Sequence, residues 1–326
     1  MNPRHLLAAL LPILIYSCAN EPPPAAPVRI LLESAADTVE LFAPTIISSR
    51  FNERDIAISP DGTEIFYTLS TPDNAIRAII QLVQLDGKWQ EPRVAPFSGT
   101  YSDIEPSFSP DGKRLYFASN RPTGHGDEGG QYDIWFVDRN GTGWGAAQNV
   151  GAPVNTPHDE FYPSVASNGN LYFTAAYENS KGAEDIYRSV FVDGQYQTPV
   201  SLDSNVNSTR YEFNAFISPD EDLIIFTSYG RADDLGGGDL YMSTRNENDD
   251  WLPARNLGPK INSAKLDYCP FLDTERQVFY FTSSRRLPTI HEDLQVLNYA
   301  QLLEECEAVE NGMGNIYRIN ARKLFE

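Results

Sequence analysis

Five carboxylates recur at one spacing: Glu53, Asp103, Glu160, Glu212 and Asp267, 50 to 57 residues apart. Clustered acids raise one another's pKa and can divide the roles of proton donor and acceptor between them. Repetition points elsewhere, because proton transfer needs unlike groups whereas a structure of equal units needs the same junction each time. The five are therefore expected to be structural, accepting backbone N–H groups or pairing with arginines such as Arg121 and Arg285. The informative position lies two residues on, where Asp55, Glu105, Tyr162, Asn214 and Cys269 pass from carboxylate to phenol, amide and thiol. If it faces a common opening, Asp55, Glu105, Tyr162 and Asn214 are candidates for binding a polar ligand or cation; packing or solvated positions are the alternative. No residue is assigned as catalytic.

Other chemistry is weakly signalled. Two Gly-rich loops carry Asp127 and Glu128, and Asp233, Asp234 and Asp239. Their oxygens suit calcium, but neither loop has the spacing of an EF-hand, and solvated acidic turns are the plainer reading. His125, His158 and His291 are dispersed and form no HExxH or compact zinc pattern. No nucleophile elbow is present, and Gly236-Gly237-Gly238 lacks the lysine and helix start of a phosphate loop. With 45 acidic against 25 basic side chains and a net charge of -20, the chain is a poor partner for nucleic acid.

The elements that must position these residues follow from the repeat. Each unit opens on a short apolar segment, turns at Pro60-Asp61-Gly62, Pro110-Asp111-Gly112 or an equivalent, and runs into IFYT, LYFAS, LYFTA, LIIFTS or VFYFTSS. Proline fixes φ at such turns and glycine tolerates positive φ, while branched and aromatic side chains favour a pleated surface. A third strand is marked by Tyr132-Asp133-Ile134-Trp135-Phe136, Glu184-Asp185-Ile186-Tyr187, Gly238-Asp239-Leu240-Tyr241 and Gly314-Asn315-Ile316-Tyr317, with a weaker match from Ile79. A fourth follows the aromatics Trp89, Trp144, Tyr196 and Trp251, near Val94, Val150, Leu202 and Leu257. One such sheet of some 50 residues cannot cover both its faces, and radial stacking solves this. The expected fold is all-β, a five-bladed β-propeller in which residues 38–49 supply the outer strand missing from the last unit; six blades is the alternative. Residues 289–311 carry Leu294, Leu297, Leu302 and Val309 at near-helical spacing, predicting a helical lid or side bracket.

SFSPDGKRLYFASNR at residues 107–121 and YDIWFVDR at 132–139 resemble the WD40-like β-propeller repeat family to which the propeller of TolB belongs. The resemblance covers about residues 40–325 and implies that fold and a periplasmic interaction role. Glu221 stands where glycine is usual, and SNGNLYFTA at 167–175 lacks the Pro-Asp pair.

At the amino terminus, Arg4 and His5 precede an apolar run over residues 6–16, too short for a bilayer span but suited to a secretory signal. Ile15-Tyr16-Ser17-Cys18 resembles the bacterial lipoprotein box, apart from Tyr16. This implies cleavage after residues 1–17, lipid on the sulfur of Cys18 and a proline-rich tether over 18–28 ahead of the propeller at 29–326. Ala19 resembles the sorting residue of lipoproteins passed to the outer membrane, facing periplasm or cell surface. Cys269 and Cys306 remain, and an oxidising compartment would allow them to pair.

The function expected from these signals is a lipid-anchored, non-catalytic scaffold of the cell envelope that binds a protein partner through blade loops. The alternatives are a glycan-active hydrolase or lyase, which needs two carboxyls about 5 to 10 Å apart, and a polysaccharide-binding protein using Tyr101, Tyr162, Tyr211 and Tyr268. Aromatics exposed near Asp55 and Glu105 beside an open channel would favour the enzyme; a plugged channel with neutral, dispersed acids would favour the scaffold.

Overall fold

The computed structural model describes residues 29–124, 128–286 and 298–326. It is an all-β ring of five blades. The inner strands are Asn52–Ile58, Asp103–Phe108, Glu160–Val165, Tyr211–Ile217 and Asp267–Asp273, and they contact one another in sequence and back to the first. Each pairs antiparallel with a second strand, Glu64–Ser70, Arg114–Ser119, Leu171–Ala175, Leu223–Tyr229 or Val278–Ser283. The third strands are Arg77–Leu85, Asp133–Asn140, Asp185–Ser189, Asp239–Thr244 and Asn315–Asn320. Outer strands shrink to two residues, as at Arg93–Val94 and Val200–Ser201, which leaves little exposed edge for another chain to pair with.

The apolar core lies between blades. Phe66 and Ile79 of blade one pack on Leu115, Phe117 and Trp135 of blade two, and equivalent clusters fill the next junctions. The last joins Val278, Tyr280 and Ile316 to Ile56, Ile65 and Tyr67, with Phe42 and Ile47 from the amino-terminal segment between them. That segment closes the ring: Glu40–Leu41 pairs antiparallel with Asn315–Asn320, and Phe42 N–H donates to the Ile316 carbonyl at 2.8 Å. Only these two residues of the expected 38–49 strand are extended in the sheet. The chain then folds back at 43–48, because burying Phe42 and Ile47 takes precedence over a longer edge.

Of the expected insertion, helix Tyr299–Glu307 is present, begun by an Asn298–Gln301 capping box. No residue of the helix is buried. It is joined to the closure through Arg286–Glu305 at 3.0 Å and Arg50–Glu307 at 3.6 Å, and none of its residues lines the central cavities. Among the described residues no helix is long and apolar enough to cross a membrane. The signal, Cys18 and tether fall outside the described residues, as do His125, Asp127, His291, Leu294 and Leu297. Cys269 is buried in the centre and Cys306 exposed on the helix; both are free thiols, so the pairing that an oxidising compartment would allow is not formed.

Candidate functional site

The inner strands share one irregularity. Register against the second strand slips between Arg54 and Ala57, Ile104 and Ser107, Phe161 and Ser164, Phe213 and Phe216, and Tyr268 and Phe271. One extra residue in one strand is a β-bulge, which re-aims a side chain. The residues concerned are Asp55, Glu105, Tyr162, Asn214 and Cys269, all left-handed with φ between 50° and 62°. A non-glycine residue there costs on the order of 1 kcal/mol, so the surroundings must hold it. Threonines on second strands do so from the preceding blade: Thr68 Oγ1 accepts from Glu105 N–H and Thr174 Oγ1 from Asn214 N–H, both at 3.0 Å, and Thr282 Oγ1 from Asp55 N–H at 3.4 Å. Blade two has Ala118 at that place, and there Glu105 Oε2 takes the Tyr162 N–H at 2.7 Å.

The bulges gather five unlike side chains into one buried layer. Arg54 Nε donates to Asp55 Oδ1 at 2.8 Å and its Nη2 to Glu105 Oε1 at 2.6 Å, while its guanidinium lies 5.3 Å from the Tyr268 ring centre. Asn214 Nδ2 reaches Glu105 Oε1 at 3.4 Å, and Cys269 Sγ reaches Asn214 Oδ1 at 3.5 Å. Tyr162 Oη donates to the Pro270 carbonyl at 3.1 Å, linking blade three to blade five. Burial pushes the Glu105 carboxyl up to about 7, against the pull of Arg54 and with a further push from Asp55. Burial, then Asp55, raises the Cys269 thiol far above its usual range, so it is no nucleophile. Asp55 Oδ2 is buried without a hydrogen-bond partner.

This layer divides the central space in two. On the turn side lies an apolar cavity of about 150 Å³ walled by Ile56, Pro106, Phe108, Phe216 and Phe271. On the other side lies a polar cavity of about 300 Å³ that holds Arg54, Arg77, Glu105, Glu184, Asn214 and Tyr268. Arg77 and Glu184, which line it, share one position, the residue just before the aligned third-strand position; the other blades have Tyr132, Gly238 and Gly314 there. Burial raises the Glu184 carboxyl, and no side-chain hydrogen bond reaches it among the described residues. A second hollow of about 330 Å³, with His158 and Asp159, shares Phe161 and Glu184 with the polar cavity and extends it outward.

The five repeated acids sit elsewhere, at most 1% exposed at the starts of the inner strands. Glu53, Glu160, Glu212 and Asp267 each accept from a hydroxyl four residues earlier, on Ser49, Thr156, Ser208 and Ser263. Asp103 pairs with Arg121 at 2.5 Å, Glu212 with Arg231 at 2.9 Å and Asp267 with Arg285 at 2.7 Å. Glu53 also takes Asn315 Nδ2 at 3.0 Å, tying blade one to blade five. Of the loop acids, Asp233 and Asp234 both accept from Tyr241 Oη, and Asp239 accepts from Leu235 N–H and Asn256. Among the described residues no group of three or more His, Cys, Asp or Glu could hold a metal ion. Of the four tyrosines, Tyr162 and Tyr268 reach the centre, whereas Tyr101 and Tyr211 are exposed.

Sequence reasoning passed over Arg54, Arg77 and Glu184 as site residues. The signal was present for Arg54, which stands where the other blades have Ile104, Phe161, Phe213 and Tyr268. A cation at an otherwise apolar register position has to be matched by buried acids, here Asp55 and Glu105.

No family model matches the sequence, and no curated protein matches it. Among solved structures, one described as a complex of BT0996 and RGII superposes with a TM-score of 0.52 at 8% identity, covering 90% of each protein. Another, described as a glycoside hydrolase, gives 0.52 at 8% identity over 90% of this chain and 91% of that one. TolB from Acinetobacter baumannii gives 0.47 at 15% identity over 84% of this chain, which spans 55% of its length. At such identities the likeness is one of fold, a propeller shared with glycoside hydrolases. It nonetheless corrects the expectation of a non-catalytic, protein-binding scaffold. A neighbour described as a glycoside hydrolase favours the glycan-active alternative, although the centre is plugged by the buried layer of Asp55, Glu105, Tyr162, Asn214 and Cys269 rather than open.

Proposed function

We propose that the chain is a glycan-active enzyme, with the polar central cavity taking the sugar and Glu105 and Glu184 acting as its proton-transfer pair. The observation that carries this reading is two carboxyls in one cavity with different surroundings. Glu105, pushed up to about 7 by burial while Arg54, Asn214 and the Tyr162 N–H bond its oxygens, exchanges its proton near neutral pH. Glu184, which lines the cavity with no side-chain partner among the described residues, is placed to accept one. In hydrolysis, the protonated carboxyl gives its proton to the leaving glycosidic oxygen while the other takes one from the attacking water. Tyr268, buried against Arg54, lines the cavity beside them. The neighbour described as a glycoside hydrolase supports this reading, and the lipoprotein-like box at Cys18 supports an envelope location where the chain meets extracellular glycans.

The test is the release of reducing ends from a panel of plant and bacterial polysaccharides, with absorbance near 235 nm to reveal the unsaturated product of a lyase. Glu184→Gln and Glu105→Gln are expected to lose about 10²- to 10⁴-fold in rate, the usual contribution of a positioned acid or base. Turnover of no glycan, or turnover unaffected by both substitutions, refutes the reading. Binding without product would instead favour a non-catalytic polysaccharide-binding protein.

A further inference from the structure

Arg77 occupies the rim of the polar cavity in an unusual state. Its Nη1 donates to Tyr132 Oη at 3.3 Å, and that hydroxyl is itself fixed by donating to Ser102 Oγ at 2.6 Å. Its Nε is buried and has no hydrogen-bond partner, and among the described residues Arg77 enters no ion pair. The other cation of the cavity, Arg54, is already shared between Asp55 and Glu105. A buried guanidinium N–H left without an acceptor is costly, and the edge formed by Nε and Nη2 is the geometry that takes a carboxylate through two parallel hydrogen bonds. The chain carries a net charge of -20, so general attraction would not bring an anion here. Local capture by an uncommitted arginine would.

We infer that the saccharide bound at this cavity is acidic, and that the Nε–Nη2 edge of Arg77 takes the carboxylate of a uronic acid ring. The inference rests on the glycan-binding half of the proposed function and adds the substrate class. Tyr132 acts as a positioning residue that orients the guanidinium. Gly238 and Gly314, at the equivalent places of blades four and five, are buried and closely packed, against Leu266 and against Asn52 and Tyr268, so the rest of the oligosaccharide has to leave on the side of blades two and three. The hollow shared through Phe161 and Glu184 gives it a path outward.

The experiment is titration calorimetry of the full chain with an α-1,4-linked galacturonate tetramer and with the same tetramer after its carboxyl groups are reduced to alcohols. The acidic tetramer is expected to bind at least about tenfold more tightly. Arg77→Gln should weaken it by roughly 10- to 100-fold, as for a charge-assisted hydrogen-bonded contact, and change the neutral tetramer by less than about twofold. Arg77→Lys, which keeps the charge and loses the fork, should fall between, and Tyr132→Phe should cost a few-fold for the acidic ligand alone. Equal binding of both tetramers, no binding of either, a preference for a sulfated neutral oligomer, or indifference to Arg77→Gln would each overturn the inference. The comparison of the two tetramers on the unaltered chain stands even if a variant folds poorly. Arg77-dependent binding without cleavage would refute the enzymatic reading alone. Cleavage of neutral glycans unaffected by Arg77→Gln would refute this inference alone.

Discussion

Replacing Arg54 with methionine tests whether the central acids are held against burial by one guanidinium. Arg54 contacts Asp55 at 2.8 Å and Glu105 at 2.6 Å, and both acids are under 5% exposed. Removing one partner of a buried ion pair costs about 3–5 kcal/mol when the remaining charge cannot escape. Escape here means protonation. The folded protein binds a proton at Glu105 more tightly than the unfolded chain does, so stability from this group is greatest below the unfolded value of 4.5 and declines as the pH rises towards 7. Without Arg54 the decline continues further. Keeping Glu105 neutral costs less than about 1 kcal/mol at pH 5 but about 5 kcal/mol at pH 8, at 1.36 kcal/mol per unit. The unaltered protein already bears about 3.4 kcal/mol of this at pH 8, its Glu105 being held at about 7. Arg54→Met should therefore lower stability by about 1–2 kcal/mol at pH 5 and by about 1.4 kcal/mol more at pH 8. The total loss at pH 8 corresponds to roughly 4–5 °C in Tm for a chain of 326 residues. Denaturant titrations at pH 5, 6, 7 and 8 read this directly. Adding Glu105→Gln should recover at least about 2 kcal/mol at pH 8 and under about 1 kcal/mol at pH 5. A loss independent of pH, or one below about 1 kcal/mol at pH 8, would refute the reasoning.

Three further outcomes follow from the fold. Phe42→Ala, which empties a site 1% exposed at the closure, should cost about 3–5 kcal/mol in denaturant unfolding; a cost under about 1 kcal/mol would mean the amino-terminal segment does not close the ring. Arg121→Met breaks the 2.5 Å pair with Asp103 and the bond to the Phe97 carbonyl, and should destabilise by about 3 kcal/mol while leaving saccharide affinity unchanged; altered affinity would give the repeated acids a part in binding. In a chain begun at residue 29, a thiol reagent should modify Cys306 at once and Cys269 only on unfolding; two fast thiols would contradict a sealed central layer.

The architecture was legible because its determinants are local and repeated. Pro60-Asp61-Gly62 and Pro110-Asp111-Gly112 set turns, the LYFAS-type runs set second strands, and the interval between Glu53, Asp103, Glu160, Glu212 and Asp267 counts blades. The variable position at Asp55, Glu105, Tyr162, Asn214 and Cys269 was also visible, though not why it points to the centre. That reason is a left-handed bulge held by a threonine of the preceding blade, a contact made far apart in sequence. Val154-Asn155-Thr156, Val206-Asn207-Ser208 and Ile261-Asn262-Ser263 form a further repeat. Each asparagine bonds both backbone groups of Ile134, Ile186 or Leu240, but the motif sits in crossovers, where propensity says little. Arg77 and Glu184 escaped notice for another reason. The position they share holds tyrosine or glycine in the other blades, so only the assembled ring shows that it faces a cavity.

The bulge ring has a consequence for how such a molecule can change. Where the main chain is fixed by a neighbour's hydroxyl, as at Asp55, Glu105 and Asn214, the side chain is relieved of architectural duty and can be exchanged without reshaping the scaffold. Tyr162 and Cys269 are the exceptions: the first leans its backbone on the carboxylate of Glu105, and the second has Thr227 at the equivalent place with no hydrogen bond from its hydroxyl among the described residues. Converting Ala118 to threonine would supply the missing hydroxyl and release Glu105 from that support. The resulting socket would accept diversified chemistry at four of the five blades, making it a natural starting frame for selecting new specificities.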